Sequence, residues 1–198
     1  MNKINREVYS RTQKTVDDWE TPDYFFNLLN EEFHFTLDPC ATSKNAKCKK
    51  FYTREDNGLK QDWEGEKVFV NPPFSDISNW VRKCYEESQK SNTIVVMILP
   101  SRTDTYYWHK WIMKAHEIRL CKGRVNFLIV CEICKKSVSK TITKYKKIRL
   151  CKDCYFKMTG LKKIGNGSTF PLVVVVFKKT EAKNPSIRSF NHKEYSKR

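Results

Sequence analysis

The chain has 198 residues, with 38 Lys and Arg against 22 Asp and Glu and a formal net charge of +16. The length suits one domain of ordinary size with a small appendage, and the charge favours a polyanionic partner, most simply nucleic acid. No stretch approaches the ~20 apolar residues of a membrane span and the first residues hold no apolar signal core, so no membrane partner is expected and the expected compartment is the cytoplasm.

In chain order, residues 1–18 are polar and aperiodic and read as an arm or a loose first helix. Trp19-Glu20-Thr21-Pro22-Asp23 is a helix start, with Thr21 as N-cap and Pro22 as first helical residue. The helix is expected to reach about Phe33, with Phe25, Leu28, Leu29 and Phe33 on one face. Residues 35–37 read as a short strand ending in Asp38-Pro39-Cys40-Ala41, and residues 51–53 as another. Turns at Asn57-Gly58 and Glu64-Gly65 lead to an apolar strand over 67–70.

That strand stops at Asn71-Pro72-Pro73-Phe74. Two prolines forbid both strand pairing and an immediate helix. A short amide is thereby held beside two proline carbonyls and an aromatic ring, a setting suited to a flat heterocycle bearing an NH₂ group. The plainer reading is a strand end followed by a stiff turn.

A helix capped by Ser75 or Asp76 is expected over 77–89, a fully apolar strand over 93–99 and a loop over 101–104. A helix over 105–114, a strand over 116–120 and a final strand over 171–177 follow. The tail, 178–198, is polar, basic and expected to be disordered. Alternating strands and helices predict an α/β fold with a mostly parallel sheet. Ligands of such sheets sit beyond the carboxyl ends of the strands, where Asp38, Asn71 and residues 101–104 all fall.

Residues 130–160 differ in character. Cys131-x-x-Cys134 and Cys151-x-x-Cys154 are sixteen residues apart, the spacing of a tetrahedral four-thiolate zinc site. The intervening residues can form a hairpin, and a structural zinc ion is expected to supply most of the folding free energy of so small a unit. Its Lys135, Lys136, Lys144, Lys146 and Lys147 suit phosphate contacts. A clip that merely closes the loop is the alternative. Cys40, Cys48, Cys84 and Cys121 show no ligand spacing and read as core thiols.

Together the motifs resemble the phage-type DNA N6-adenine methyltransferases. The matching pieces are Trp19-x-Thr21-Pro22, Leu37-Asp38-Pro39-Cys40-Ala41 with Asn45, Asn57-Gly58-Leu59 leading to Asp62-Trp63, Val70-Asn71-Pro72-Pro73-Phe74, Leu99-Pro100-Ser101-Arg102-Thr103-Asp104 and Gly123-Arg124-x-x-Phe127. The cysteine-rich segment lies outside this pattern. The resemblance implies a Rossmann-like methyltransferase sheet over 19–129 and 168–178; the zinc-ribbon-like insert before the last strand and the basic tail over 179–198 are read from the residues themselves. It implies S-adenosylmethionine as cofactor, double-stranded DNA as partner and, for a phage gene, the cytoplasm of the host cell.

On that reading the Asn71 side-chain carbonyl and the Pro72 main-chain carbonyl accept the two N6 hydrogens of a flipped adenine. Pro73 keeps the turn rigid and Phe74 stacks on the base. Asp38 and Asp62 contact the cofactor, in a site that also takes in Pro39, Cys40, Ala41 and Asn45, faced by Trp19, Thr21 and Pro22. Arg102 and Arg124 are candidates for DNA phosphates. One departure is that Asp38-Pro39-Cys40-Ala41 lacks the glycine by which many relatives bring the backbone close to the cofactor. The tetrapeptide alone leaves cytosine N4, RNA adenine or a protein amide open as targets, and a non-catalytic zinc-containing nucleic-acid-binding protein remains the rival of another class.

Overall fold

The computed structural model describes residues 19–125, 127, 129–130, 137–138, 143–145, 148–150, 153–154, 170–181 and 183–193. The expected arm over 1–18 lies outside them, as do Cys131, Cys134, Cys151, Lys135, Lys136, Lys146 and Lys147.

Helix α1 (Asp23–Phe33) is followed by strands β1 (Leu37–Asp38), β2 (Lys50–Phe51) and β3 (Lys67–Val70). Helix α2 (Ile77–Glu87), strand β4 (Ile94–Pro100), the short helix α3 (Tyr106–Lys110) and strand β5 (Glu117–Cys121) come next. The insert contributes β6 (Ile129–Val130), β7 (Ser137–Val138), β8 (Thr143–Tyr145) and β9 (Ile148–Leu150), and the chain closes with β10 (Leu172–Lys178) and β11 (Ser186–Phe190).

Seven strands make one sheet in the order β11-β5-β10-β4-β3-β1-β2. Every pairing is parallel except those of β10, which runs antiparallel to β4 and β5. The expected α/β class with a mostly parallel sheet is what the chain forms. Alternation along the central strands builds a core on each face. Val68, Val70, Val95, Met97, Leu99, Val173 and Val175 pack under α2 and α3. Phe69, Val96, Ile98, Val174 and Val176 pack under Phe25, Phe26 and Leu29 of α1.

Three local expectations change. Pro22, not Thr21, is the N-cap of α1, in extended conformation, and its carbonyl takes the Phe25 and Phe26 N–H groups at 3.0 and 3.1 Å. Thr21 is thereby released from capping. The helix expected over 105–114 breaks at Trp111, where α3 gives way to a 3-10 turn at Ile112–Lys114. The tail expected to be disordered contains β11, paired in parallel with all five residues of β5. Its Arg188 is ion-paired with Glu117, which also binds Arg119 at 2.8 Å. Two short hairpins, β6 with β7 and β8 with β9, stand apart from the main sheet.

The topology fixes where a ligand can enter. From β1 the chain steps outward to β2, then returns to place β3 on the other side of β1. The loops therefore diverge at the carboxyl ends of β1 and β3, opening the crevice in which α/β sheets bind ligands.

Candidate active site

A cavity of about 800 Å³ occupies that crevice. Of the residues expected to form the site, Trp19, Thr21, Asp38, Pro39, Cys40, Ala41, Asn45, Asn71 and Pro73 line it. The two sequence motifs, one following β1 and one following β3, thus meet at one opening. They also touch directly, since the Cys40 thiol donates to the Asn71 main-chain carbonyl at 3.2 Å. Burial pushes that thiol well above its usual range, so it stays protonated and serves as a donor.

The Asn71 side chain is oriented by its neighbour. Its Nδ2 donates to the Trp19 carbonyl at 2.6 Å. A carbonyl can only accept, so this bond turns the NH₂ toward Trp19 and leaves Oδ1 as the free end. Oδ1 is buried and has no hydrogen-bond partner among the described residues. Thr21 Oγ1, on the same cavity, is in the same position. Buried polar atoms are normally paired, so two unpaired ones on a single cavity wall call for a ligand.

Asp38 completes the wall. It is 4% exposed, and its carboxylate accepts the Lys47 N–H at 3.1 Å and the Cys40 N–H at 3.4 Å. Burial outweighs those two bonds and the nearby Lys47 charge, pushing its pKa up to about 6. Lys47 spends its own ammonium on Asp23. At neutral pH Asp38 is therefore a buried anion that a cationic ligand would relieve.

Other expected residues lie elsewhere. Pro22, Pro72 and Phe74 are buried outside the cavity lining. The Phe74 ring meets Phe170 edge-on at 5.5 Å, and Phe170 also packs on Trp19 at 5.7 Å. Asp62 lies outside the cavity lining. It is exposed, caps the Glu64 N–H at 3.0 Å and pairs with Lys90 at 2.7 Å, which holds its carboxyl below the usual range. Arg102 and Arg124 are exposed and line no part of the cavity. Lys144 falls in β8. Among the described residues no cluster of His, Cys, Asp and Glu could hold a metal ion, and the zinc expectation rests on cysteines of which only Cys154 is described.

The sequence reading missed Lys44, Lys47, Arg54, Leu59 and Trp80, all on the cavity. Lys44, Lys47 and Arg54 follow the carboxyl ends of β1 and β2, so position beyond a strand end was the available signal. Trp80 comes from α2 and had none.

A sequence model of the family described as DNA N-6-adenine-methyltransferase (Dam) matches residues 9–151. The chain belongs to that family. The match starts within the first eighteen residues and runs into the cysteine-rich segment, further at both ends than the 19–127 motif set. A DNA N-6-adenine-methyltransferase of Haemophilus phage HP1 is 34% identical over 123 residues, 60% of this chain and 71% of that one. One of Escherichia phage T1 is 35% identical over 104 residues, 52% of this chain and 43% of that one. A putative methyltransferase, YfdM, of Escherichia coli K12 is 42% identical over 65 residues, 29% of this chain and 71% of that one. Membership fixes the reaction class as methylation of adenine N6 in DNA, and a methyltransferase of this kind implies S-adenosylmethionine. The cavity fits that cofactor. A buried anion awaits a cation, and unpaired polar atoms stand beside apolar walls from Ala41, Leu59 and Trp80. No helix among the described residues is long and apolar enough to cross a membrane.

Proposed function

We propose that the cavity takes both S-adenosylmethionine and an adenine extruded from double-stranded DNA, and that Asn71 is the residue on which methyl transfer turns. The observation that carries this reading is the fixed, unpaired Asn71 Oδ1. When bound, S-adenosylmethionine supplies an electrophilic methyl group on a sulfonium. The difficulty left to the protein is that adenine N6 is a poor nucleophile, its lone pair delocalised into the ring.

Asn71 Oδ1, on the cavity, accepts one N6 hydrogen, and the second acceptor expected from the turn is the main-chain carbonyl of Pro72, a residue outside the lining. Two acceptors on a rigid turn favour a pyramidal nitrogen, localise the lone pair and aim it along one line. The proton leaves after transfer, so no strong base is needed at the turn. Asp38, with Thr21 on the same cavity, holds the cationic end of the cofactor. Extruding the base costs roughly a few kcal/mol, which contacts in the pocket offset. Phe74 backs the turn through its contact with Phe170, and the rings that line the cavity for a base to meet are Trp19, Phe69 and Trp80. Exposed Arg102 and Arg124 then face DNA phosphates beyond the cavity.

The orientation of Asn71 also weighs against a non-catalytic scaffold, since a turn kept for shape alone has no need of a buried free acceptor. We extend the proposal to the insert, where Cys131, Cys134, Cys151 and Cys154 hold one zinc ion and Lys135, Lys136, Lys144, Lys146 and Lys147 meet the DNA. The spacing of the cysteine pairs and the β8–β9 hairpin between them support it.

Asn71→Ala tests the central assignment. It is expected to lower kcat by about 10² to 10³ while cofactor affinity, read by calorimetry, stays at the wild-type value. Full activity in that variant would remove the mechanism.

A further inference from the structure

The loop after β1 has no glycine, yet its backbone is packed as though it had one. Both ends of Asp38-Pro39-Cys40-Ala41 are tied to a single residue. The Tyr52 N–H donates to the Asp38 carbonyl and the Ala41 N–H donates to the Tyr52 carbonyl, each at 3.0 Å. Between those ties the Pro39 carbonyl is pressed onto Gly58. A Cβ at Gly58 would lie 2.0 Å from Pro39 O, a distance no side chain tolerates. Gly58 needs its missing side chain for this approach alone, since its φ is not in the left-handed region, whereas Asn57 before it, at φ 53°, takes the left-handed turn. Asn57, Gly58 and Leu59 line the same cavity as the β1 loop.

Gly58 is held in place from behind. Its carbonyl accepts the Trp63 indole N–H at 3.1 Å, and Trp63 is fully buried. The Trp63 main-chain N–H donates to Glu87 at 2.9 Å, and Glu87, itself 3% exposed, is paired with Lys83 and Lys90 at 2.7 and 2.8 Å. A continuous line therefore runs from α2 through Glu87, Trp63 and Gly58 to Pro39. It ends under the loop that carries Asp38.

We propose that Gly58, packed against Pro39 from a separate turn, sets the position of the cofactor loop, and that Trp63 and Glu87 are positioning residues that hold it there. This rests on the assignment of the cavity to S-adenosylmethionine. The close approach is made between two loops, and it fixes the loop that carries Asp38.

The test is Trp63→Phe in the full-length protein, which removes the indole N–H and keeps a buried ring. S-adenosylmethionine affinity by calorimetry and KM for the cofactor should both weaken roughly 3- to 10-fold, the loss of one neutral hydrogen bond. KM for DNA and kcat at saturating cofactor should hold at wild-type values. Gly58→Ala should abolish cofactor binding in protein whose circular dichroism is unchanged. A purely structural Trp63 would lower the active fraction, and so kcat, without moving KM for the cofactor, and that result overturns the proposal. Asp38→Asn run alongside separates the two claims. Weaker cofactor binding in Asp38→Asn with none in Trp63→Phe overturns this inference alone. Wild-type cofactor affinity in both overturns the assignment of the cavity as well.

Discussion

Asp38 is where function and stability pull apart. Held at about 6 in the fold against an ordinary 3.8, its carboxyl binds a proton more tightly in the folded chain than in the unfolded one. The stability this brings is whole below about pH 4 and is lost as pH climbs through 6, a difference of roughly 3 kcal/mol. Asp38→Asn should therefore flatten the stability profile between pH 4 and 6.5 and leave the ligand-free protein more stable at pH 7, while weakening its hold on the cofactor. Urea titrations across that range check the first part. A variant no more stable than wild type at pH 7 would contradict the burial argument. At this scale the sequence was informative about identity and silent about orientation. Asn71, Asp38 and Thr21 could be picked out because each sits by a strand end or a proline. That Trp19 turns the Asn71 amide could not, since the two are 52 residues apart. The partners of Asp62, Lys90 and the Glu64 N–H, were likewise not legible, because an Asp before a turn looks the same whether it meets a ligand or a lysine.

Strand existence was easier to read than strand direction. The four valines of β10 announce a buried strand, but nothing in them says that it runs against β4 and β5. The sequence Ser-Ile-Arg-Ser-Phe of β11 has no apolar run, and its place depends on partners far away in the chain. Arg119, 1% exposed, lies against the rings of Phe33 and Phe190 and is clasped by Glu32 and Glu117. Without Arg119, Glu117 keeps Arg188 and the half-exposed Glu32 turns to water. Arg119→Ala should cost about 1.5–3 kcal/mol, the loss of its charged hydrogen bonds, and raise hydrogen exchange first in the β11 amides, with slower change in β3 and β4. Equal exchange across the sheet would show that β11 does not depend on this clasp.

Across the whole molecule, the charge of +16 implies that phosphates dominate DNA affinity. For about six phosphate contacts, affinity should fall roughly 10³-fold between 50 and 200 mM salt, which a binding titration over that range reads directly. Affinity insensitive to salt would place the basic residues away from the DNA. The insert adds a second expectation, one zinc ion per chain by metal analysis, with chelation reducing DNA affinity. A chain free of zinc that binds DNA normally would reduce the cysteine pairs to bystanders.

In the proposed mechanism this fold presents Asn71 to adenine N6 in DNA. The most direct test is to incubate the protein with S-adenosylmethionine labelled in its methyl group and duplex DNA, then digest the product to nucleosides for mass spectrometry. Label is expected in N6-methyladenine alone, at a rate reduced at least ~100-fold with Asn71→Ala. Label in N4-methylcytosine, or undiminished N6-methyladenine from the Asn71→Ala protein, would contradict that mechanism.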